Sequence, residues 1–303
     1  MNKTSKLSLA LLCSALLFGC ASTEPTIPSA YQAKPLTGEK VAVTQYSKFD
    51  SIAKVSKLQI SEPNAKPGSK YELAKDGDFS DVLNEYFYVD TNAEALVMKM
   101  TGYKLRNEFR VQNNFKTDDA NAFYRLSADV MPINPRESMK DSPSKNDAFT
   151  ILQVHNKGTF DDGKHGVGYI PHPLMRIVYE AERRDFSDHY WAVIKNNNIN
   201  CSTKSGNRDT ADCKNAYIRV NLGKYDPDHP TRFDILVGDK RLIVKVDGVT
   251  RVDHNIDYWQ DFLSYFKAGV YNQFENGTSE AHFYSLEYAK ETAQSPYLVA
   301  PAK

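Results

Sequence analysis

The chain has 303 residues, 41% of them hydrophobic, and its 38 basic side chains balance its 38 acidic ones. That length can bury a sizeable core and suits one large all-β domain or two smaller ones, of which one catalytic domain is expected. A balanced charge without a nucleic-acid motif excludes bulk attraction to polyanions: nucleic acid is not an expected partner, and an acidic polymer would need a local basic cleft.

In chain order, Lys3 and Lys6 head an apolar stretch from Leu7 to Phe18 that ends in Gly19 and Cys20, the pattern of a secretory signal. The run Leu17, Phe18, Gly19, Cys20 resembles a bacterial lipobox, which implies removal of residues 1–19 and acylation of the Cys20 thiol. The plainer alternative is an ordinary signal peptide with a chance cysteine at its end. Ala21 after the cysteine favours the outer membrane, and such a lipid anchor tethers without spanning. Residues 20–45 are rich in Ser, Thr, Pro, Ala and Lys and read as a flexible tether, which leaves 46–303 for the folded domain. Cys13 would leave with the signal, so Cys201 and Cys213 remain as an even pair in an oxidising compartment, where a disulfide is expected.

From Phe49 onward, short alternating runs recur between Gly, Pro, Asn and Asp clusters. They predict strands at 95–101, 105–111, 123–130, 149–155, 174–180, 189–195, 217–222, 232–237, 241–246, 265–273 and 281–288. So many short strands imply a sandwich or barrel. Gly238-Asp239 and Asp247-Gly248 tolerate the positive φ of tight hairpins and make 231–252 a hairpin set. Two long polar stretches, 134–147 and 195–215, interrupt the spacing and are candidates for loops that overhang a groove.

Side chains alternate faces along a strand, so Arg106, Glu108 and Arg110 share one face while Asn107 and Phe109 point the other way. The same parity groups Gln153 with His155, and Tyr265 and Lys267 with Tyr271 and Gln273. Any one polar face could simply be solvated, because antiparallel sheets often face water on one side.

Together these runs resemble polysaccharide lyase family seven: LRNEFR at 105–110, QVH at 153–155 and YFKAGVYNQ at 265–273 match the family's three motifs in order. The first departs at Asn107 and Phe109. The resemblance covers roughly residues 50–290 and implies an all-β jelly roll of two antiparallel sheets whose concave sheet holds a uronate polymer, alginate. It implies β-elimination with no cofactor and no metal, and no histidine lies at metal-ligand spacing. Arg106 and Gln153 would then neutralise the substrate carboxylate, and Tyr271 would protonate the departing O4. Tyr271 would also be the base for mannuronate, helped toward phenolate by Arg106 and Lys267, and His155 the base for guluronate. Glu108 would orient Arg106 and Arg110, while Arg110, Lys267 and Gln273 line neighbouring subsites. Val154 at the centre of QVH leans toward mannuronate-rich blocks, and an endolytic monomer is the expectation. A glycoside hydrolase would need paired carboxylates in a pattern such as E-x-D-x-x-E, which the chain lacks. The alternative from another class is a non-catalytic surface protein that captures alginate in the same groove.

Overall fold

The computed structural model describes residues 28–144, 147–158, 169–292, 294–295 and 297–298. The signal segment, Cys20 and the first part of the expected tether lie outside the described residues. Seventeen strands follow in chain order. They are β1 (Lys40–Val41), β2 (Ser56–Ile60), β3 (Tyr71–Leu73), β4 (Phe87–Asp90), β5 (Ala95–Thr101), β6 (Arg106–Val111), β7 (Phe115–Lys116), β8 (Ala122–Pro132) and β9 (Phe149–Gly158). There follow β10 (Met175–Arg183), β11 (Phe186–Lys195), β12 (Tyr217–Lys224), β13 (Thr231–Gly238), β14 (Arg241–Val246), β15 (Val249–Asn255), β16 (Leu263–Asn272) and β17 (Thr278–Thr292).

They pair into two antiparallel sheets, as the jelly-roll expectation required. The rear sheet runs β1-β4-β5-β17-β8-β13-β14-β15, and the front sheet runs β12-β11-β10-β9-β16-β6-β2-β3, with β7 attached to β16. Period-two patterning explains the stacking, because each sheet turns one apolar row inward. Leu96 and Met98 of β5, Leu126 and Ala128 of β8, and Phe233 and Ile235 of β13 meet Phe109 and Val111 of β6, Leu152 and Val154 of β9, and Phe266 and Ala268 of β16 in one core. Phe109, a departure from the family motif, packs at 5.1 Å from Phe79 and 5.5 Å from Phe87. Asn107, the other departure, also points inward: its Nδ2 donates to the backbone oxygens of Tyr86 at 2.6 Å and Lys99 at 3.3 Å. Asn272 on β16 does the same to Met100 O at 2.9 Å and Gly102 O at 3.1 Å.

All eleven strands expected from the sequence are present. Six others were not among them: the short β1, β2, β3, β4 and β7, where two to five residues give too little alternation to read, and β15, of which only 249–252 fell inside the expected hairpin set. The β13–β14 turn lies one residue later than expected: Gly238 pairs with Arg241, and Asp239 and Lys240 carry the positive φ. Asp247-Gly248 turns where expected. The tether boundary also moves. Within residues 29–41, Tyr31 packs on the outer face of the rear sheet, 5.9 Å from Tyr284, Gly38 N donates to Asp90 at 3.1 Å, and Lys40–Val41 pair with β4 as the edge strand of that sheet. Aromatic and strand-pairing residues hidden in a polar run make this a docked arm. Cys201 and Cys213 form the expected disulfide, with Cα atoms 5.4 Å apart, in the loop between β11 and β12.

Candidate active site

Strands β9, β16 and β6 adjoin in the front sheet, so the three motifs that lie far apart in sequence become neighbours. Register then decides which side chains meet. Arg106 is opposite Tyr271, Lys267 is opposite both Arg110 and Gln153, and Tyr265 is opposite His155. All of them lie on the face turned away from the core. The Arg106 guanidinium sits 4.5 Å from the centre of the Tyr271 ring, and the His155 and Tyr265 rings stack at 5.4 Å. Tyr169 stacks on the other flank of His155 at 6.3 Å. A bulge in the β9–β16 pairing between Ala268 and Tyr271 sets this geometry, and Gly269 enables it. Its φ is +145°, and a Cβ there would lie 2.2 Å from Asn107 O, so no other residue fits between the two strands.

Glu108 is the electrostatic hub. It is 1% exposed, as is Lys267, whose Nζ forms a close ion pair with it. Gln153 Nε2 donates to its other oxygen, and Arg106 Nη1 approaches at 3.4 Å. Glu108 thus contacts Arg106, but it does not hold Arg110. Arg110 donates to Val111 O at 2.6 Å and to Asn114 Oδ1 at 2.7 Å, and it lies over the Tyr265 ring at 3.8 Å. The reason is reach: both Arg110 bonds run to the far end of β6, away from Glu108.

Burial governs the titrating groups. Lys267 is brought down to about 7 by burial and by Arg106, against the opposing pull of Glu108. His155 falls to about 3 through burial and the cations Lys267, Arg106 and Lys70, so its imidazole is neutral at physiological pH. The Asn156 N–H donates to its Nδ1 at 2.9 Å, and the same Nδ1 lies 3.1 Å from Asn156 O. With Nδ1 accepting, the proton sits on Nε2; action as a base through Nε2 requires the other tautomer, in which Nδ1 donates to the carbonyl. Tyr271 is pushed up by burial, and Arg106 and Arg176 only partly offset this. The expectation that neighbouring cations favour phenolate is therefore overturned: desolvation outweighs them, and the resting side chain is a phenol able to donate.

Arg176 escaped the sequence reading. It stands directly opposite Gln153 on β10, and its Nη1 donates to Gln273 Oε1 at 2.7 Å. Thr150 Oγ1 bonds the same oxygen at 2.8 Å, so Gln273 holds Arg176 in place. The available signal was an arginine inside the apolar run LMRIVYE. With it, one cross-strand row reads Lys57, Arg110, Lys267, Gln153, Arg176, Val193, Arg219 from β2 to β12. At about 4.8 Å per strand the row spans roughly 29 Å, with a cation or an amide at every position except Val193.

Comparison with known proteins identifies the family. The family model described as alginate lyase matches residues 52–290. A curated alginate lyase of Photobacterium sp. (strain ATCC 43367) is 46% identical over 260 residues, covering 84% of this chain and 90% of the relative. The solved structure of alginate lyase AlyC3 in complex with dimannuronate is 47% identical with a TM-score of 0.78, covering 82% of this chain and 93% of that one. Alginate lyase A1-II', a member of polysaccharide lyase family 7, shares the fold at 20% identity and a TM-score of 0.55, covering 81% of this chain and 97% of that one. With its three motifs on one face of the front sheet and these likenesses along most of its length, the chain belongs to the alginate lyases of polysaccharide lyase family seven.

Proposed function

We propose that the enzyme cleaves the 1,4 bond of alginate by β-elimination within the chain, with mannuronate-containing blocks preferred. The observation that carries the mechanism is the convergence of Arg106, Gln153, His155 and Tyr271 on the outer face of three adjacent strands. Arg106 and Gln153 bind the uronate carboxylate at the cleaved linkage, where charge-assisted and amide donation stabilise the enolate-like charge that develops. The C5–H bond breaks, its electron pair forms the C4–C5 double bond, and the C4–O4 bond breaks. Tyr271 gives its phenolic proton to O4. For guluronate, whose H5 and O4 are anti, neutral His155 takes the C5 proton. For mannuronate, where they are syn, Tyr271 serves on one side of the ring: ionised against its raised pKa, the phenolate takes the C5 proton and then gives that same proton to the departing O4.

The lean to mannuronate draws on Val154 at the centre of QVH and on the dimannuronate in the AlyC3 complex. Endolytic action is supported by the row of cations, which continues on both sides of β16 and suits a polymer held across the cut. Action as a monomer is part of the same reading. The lipobox adds acylation at Cys20 and an outer-membrane location. The test is ultraviolet absorbance of the unsaturated product on polymannuronate and polyguluronate separately, with Tyr271→Phe alongside. Absorbance should rise fastest on polymannuronate and be lost in the variant on both polymers. An active Tyr271→Phe enzyme refutes the mechanism, and faster polyguluronate cleavage refutes the block preference.

A further inference from the structure

The arm and the groove lie on opposite outer faces of the sandwich. Ser29 reaches the Asp247 carboxylate through its backbone, and Tyr31 lies beside Tyr284, Asp129 and Arg232 on the rear sheet. From there the chain crosses to Asp90 and pairs with β4, so residues 29–41 are fixed against strands whose other side faces the core. Arg106, His155 and Tyr271 lie beyond the core, on the far face of the front sheet. Stacked sheets are about 10 Å apart, and a side-chain layer on each outer face brings the distance from arm to groove floor to roughly 20 Å.

We infer that a lipid bilayer is the partner of the rear face, and that the anchor presents the groove away from the membrane. This rests on the reading that Cys20 is acylated. Eight residue steps separate Cys20 from Pro28, where the described arm begins. Covalent geometry caps their reach at about 26–29 Å. A groove turned toward the bilayer would need most of that length merely to pass the thickness of the sandwich, and would leave only about 6–9 Å even with the linker fully extended. A rear face turned toward the bilayer needs almost none of it. The short span therefore selects the orientation, and the groove is open to polymer arriving from the medium.

The experiment uses the full acylated chain in vesicles of phosphatidylethanolamine and phosphatidylglycerol, with energy-transfer acceptors on the outer headgroups. Donors are attached at Lys245→Cys, on the outer face of the rear sheet, or at Lys57→Cys, on the groove face of β2. Transfer should be several-fold stronger from position 245 than from position 57. Insertion of a Gly-Ser linker of about twenty residues after Thr23 should erase that difference. Equal or reversed transfer in the unextended chain overturns the orientation. Mass spectrometry of the N-terminal peptide separates the two failures: an unacylated Cys20 overturns the anchor reading itself, whereas acylated Cys20 with reversed transfer overturns only the orientation.

Discussion

Replacing Glu108 with Gln removes the one carboxylate that Lys267 faces at close range, while nearly preserving shape. Lys267 in the folded enzyme titrates at about 7, below its ordinary value near 10.4, because burial outweighs Glu108. Below pH 7 the wild-type ammonium is charged and paired, and each unit below that point is worth about 1.4 kcal/mol of pairing that the variant forfeits. At pH 6 this gives about 1.4 kcal/mol. Downgrading the bond from Gln153 from charge-assisted to neutral adds about 1 kcal/mol. The expected loss is therefore roughly 2–3 kcal/mol at pH 6, shrinking to about 1 kcal/mol at pH 9, where Lys267 is neutral in both proteins. The sign follows linkage: between pH 7 and 10.4 the unfolded chain binds the proton and the folded one does not, so Lys267 makes the wild type gain stability as pH rises. Urea denaturation at the two pH values measures the difference, and Glu108→Gln/Lys267→Met should recover most of it at pH 6. An equal loss at pH 6 and pH 9 would refute the reasoning, since it would mean that Lys267 is not held charged by Glu108. Catalysis should fall about a hundredfold, because Arg106 and Gln153 both lose their anchor.

His155→Asn should lose polyguluronate cleavage by about a hundredfold or more while keeping most activity on polymannuronate, as product absorbance on the separate polymers would show. Because His155 is already neutral well below pH 6, the wild-type rate on polyguluronate should have no acidic limb between pH 5 and 7 attributable to that imidazole. Polymannuronate cleavage should climb into the alkaline range as Tyr271 ionises, so pH profiles that coincide on the two polymers would count against separate bases. Gly269→Ala forces a methyl group to 2.2 Å from Asn107 O at a φ of +145°, and should cost about 3 kcal/mol or prevent folding, measured as the denaturation midpoint. Reducing Cys201–Cys213 should cost about 2–3 kcal/mol and leave activity on short substrates within about twofold, because the loop it closes contributes none of the four converging residues.

The longer strands were more legible than the short ones, in both sheets. The ends of β5 and β14 in the structure coincide with those expected, because each holds six or seven residues between turn signals. The four converging residues were readable because period-two parity fixes a face once the strand is known. Arg176 was not, since facing Gln153 depends on which strand lies beside β9, and pairing order has no local signal. The direction of the Tyr271 shift was hidden for a related reason. Arg106 is visible in its motif, whereas the burial that outweighs it and Arg176 comes from the surrounding sheet and loops. The arm at 29–41 was misread because its hold on the rear sheet rests on a few dispersed contacts, such as Tyr31 with Tyr284, rather than on any periodic pattern.

Asn107 and Asn272 sit at the same depth on β6 and β16, the strands that carry Arg106 and Tyr271, and each donates two bonds to backbone oxygens of the opposing sheet or the turn beside it. Apolar layers can slide by fractions of an ångström at little cost, but directed amide bonds in a dry interior cannot. The two strands are in effect bolted through the core to the wall behind them. Under the proposed mechanism a sugar ring that reaches this floor meets a fixed template, so the strain of approaching the transition state falls on the flexible polymer and not on the protein.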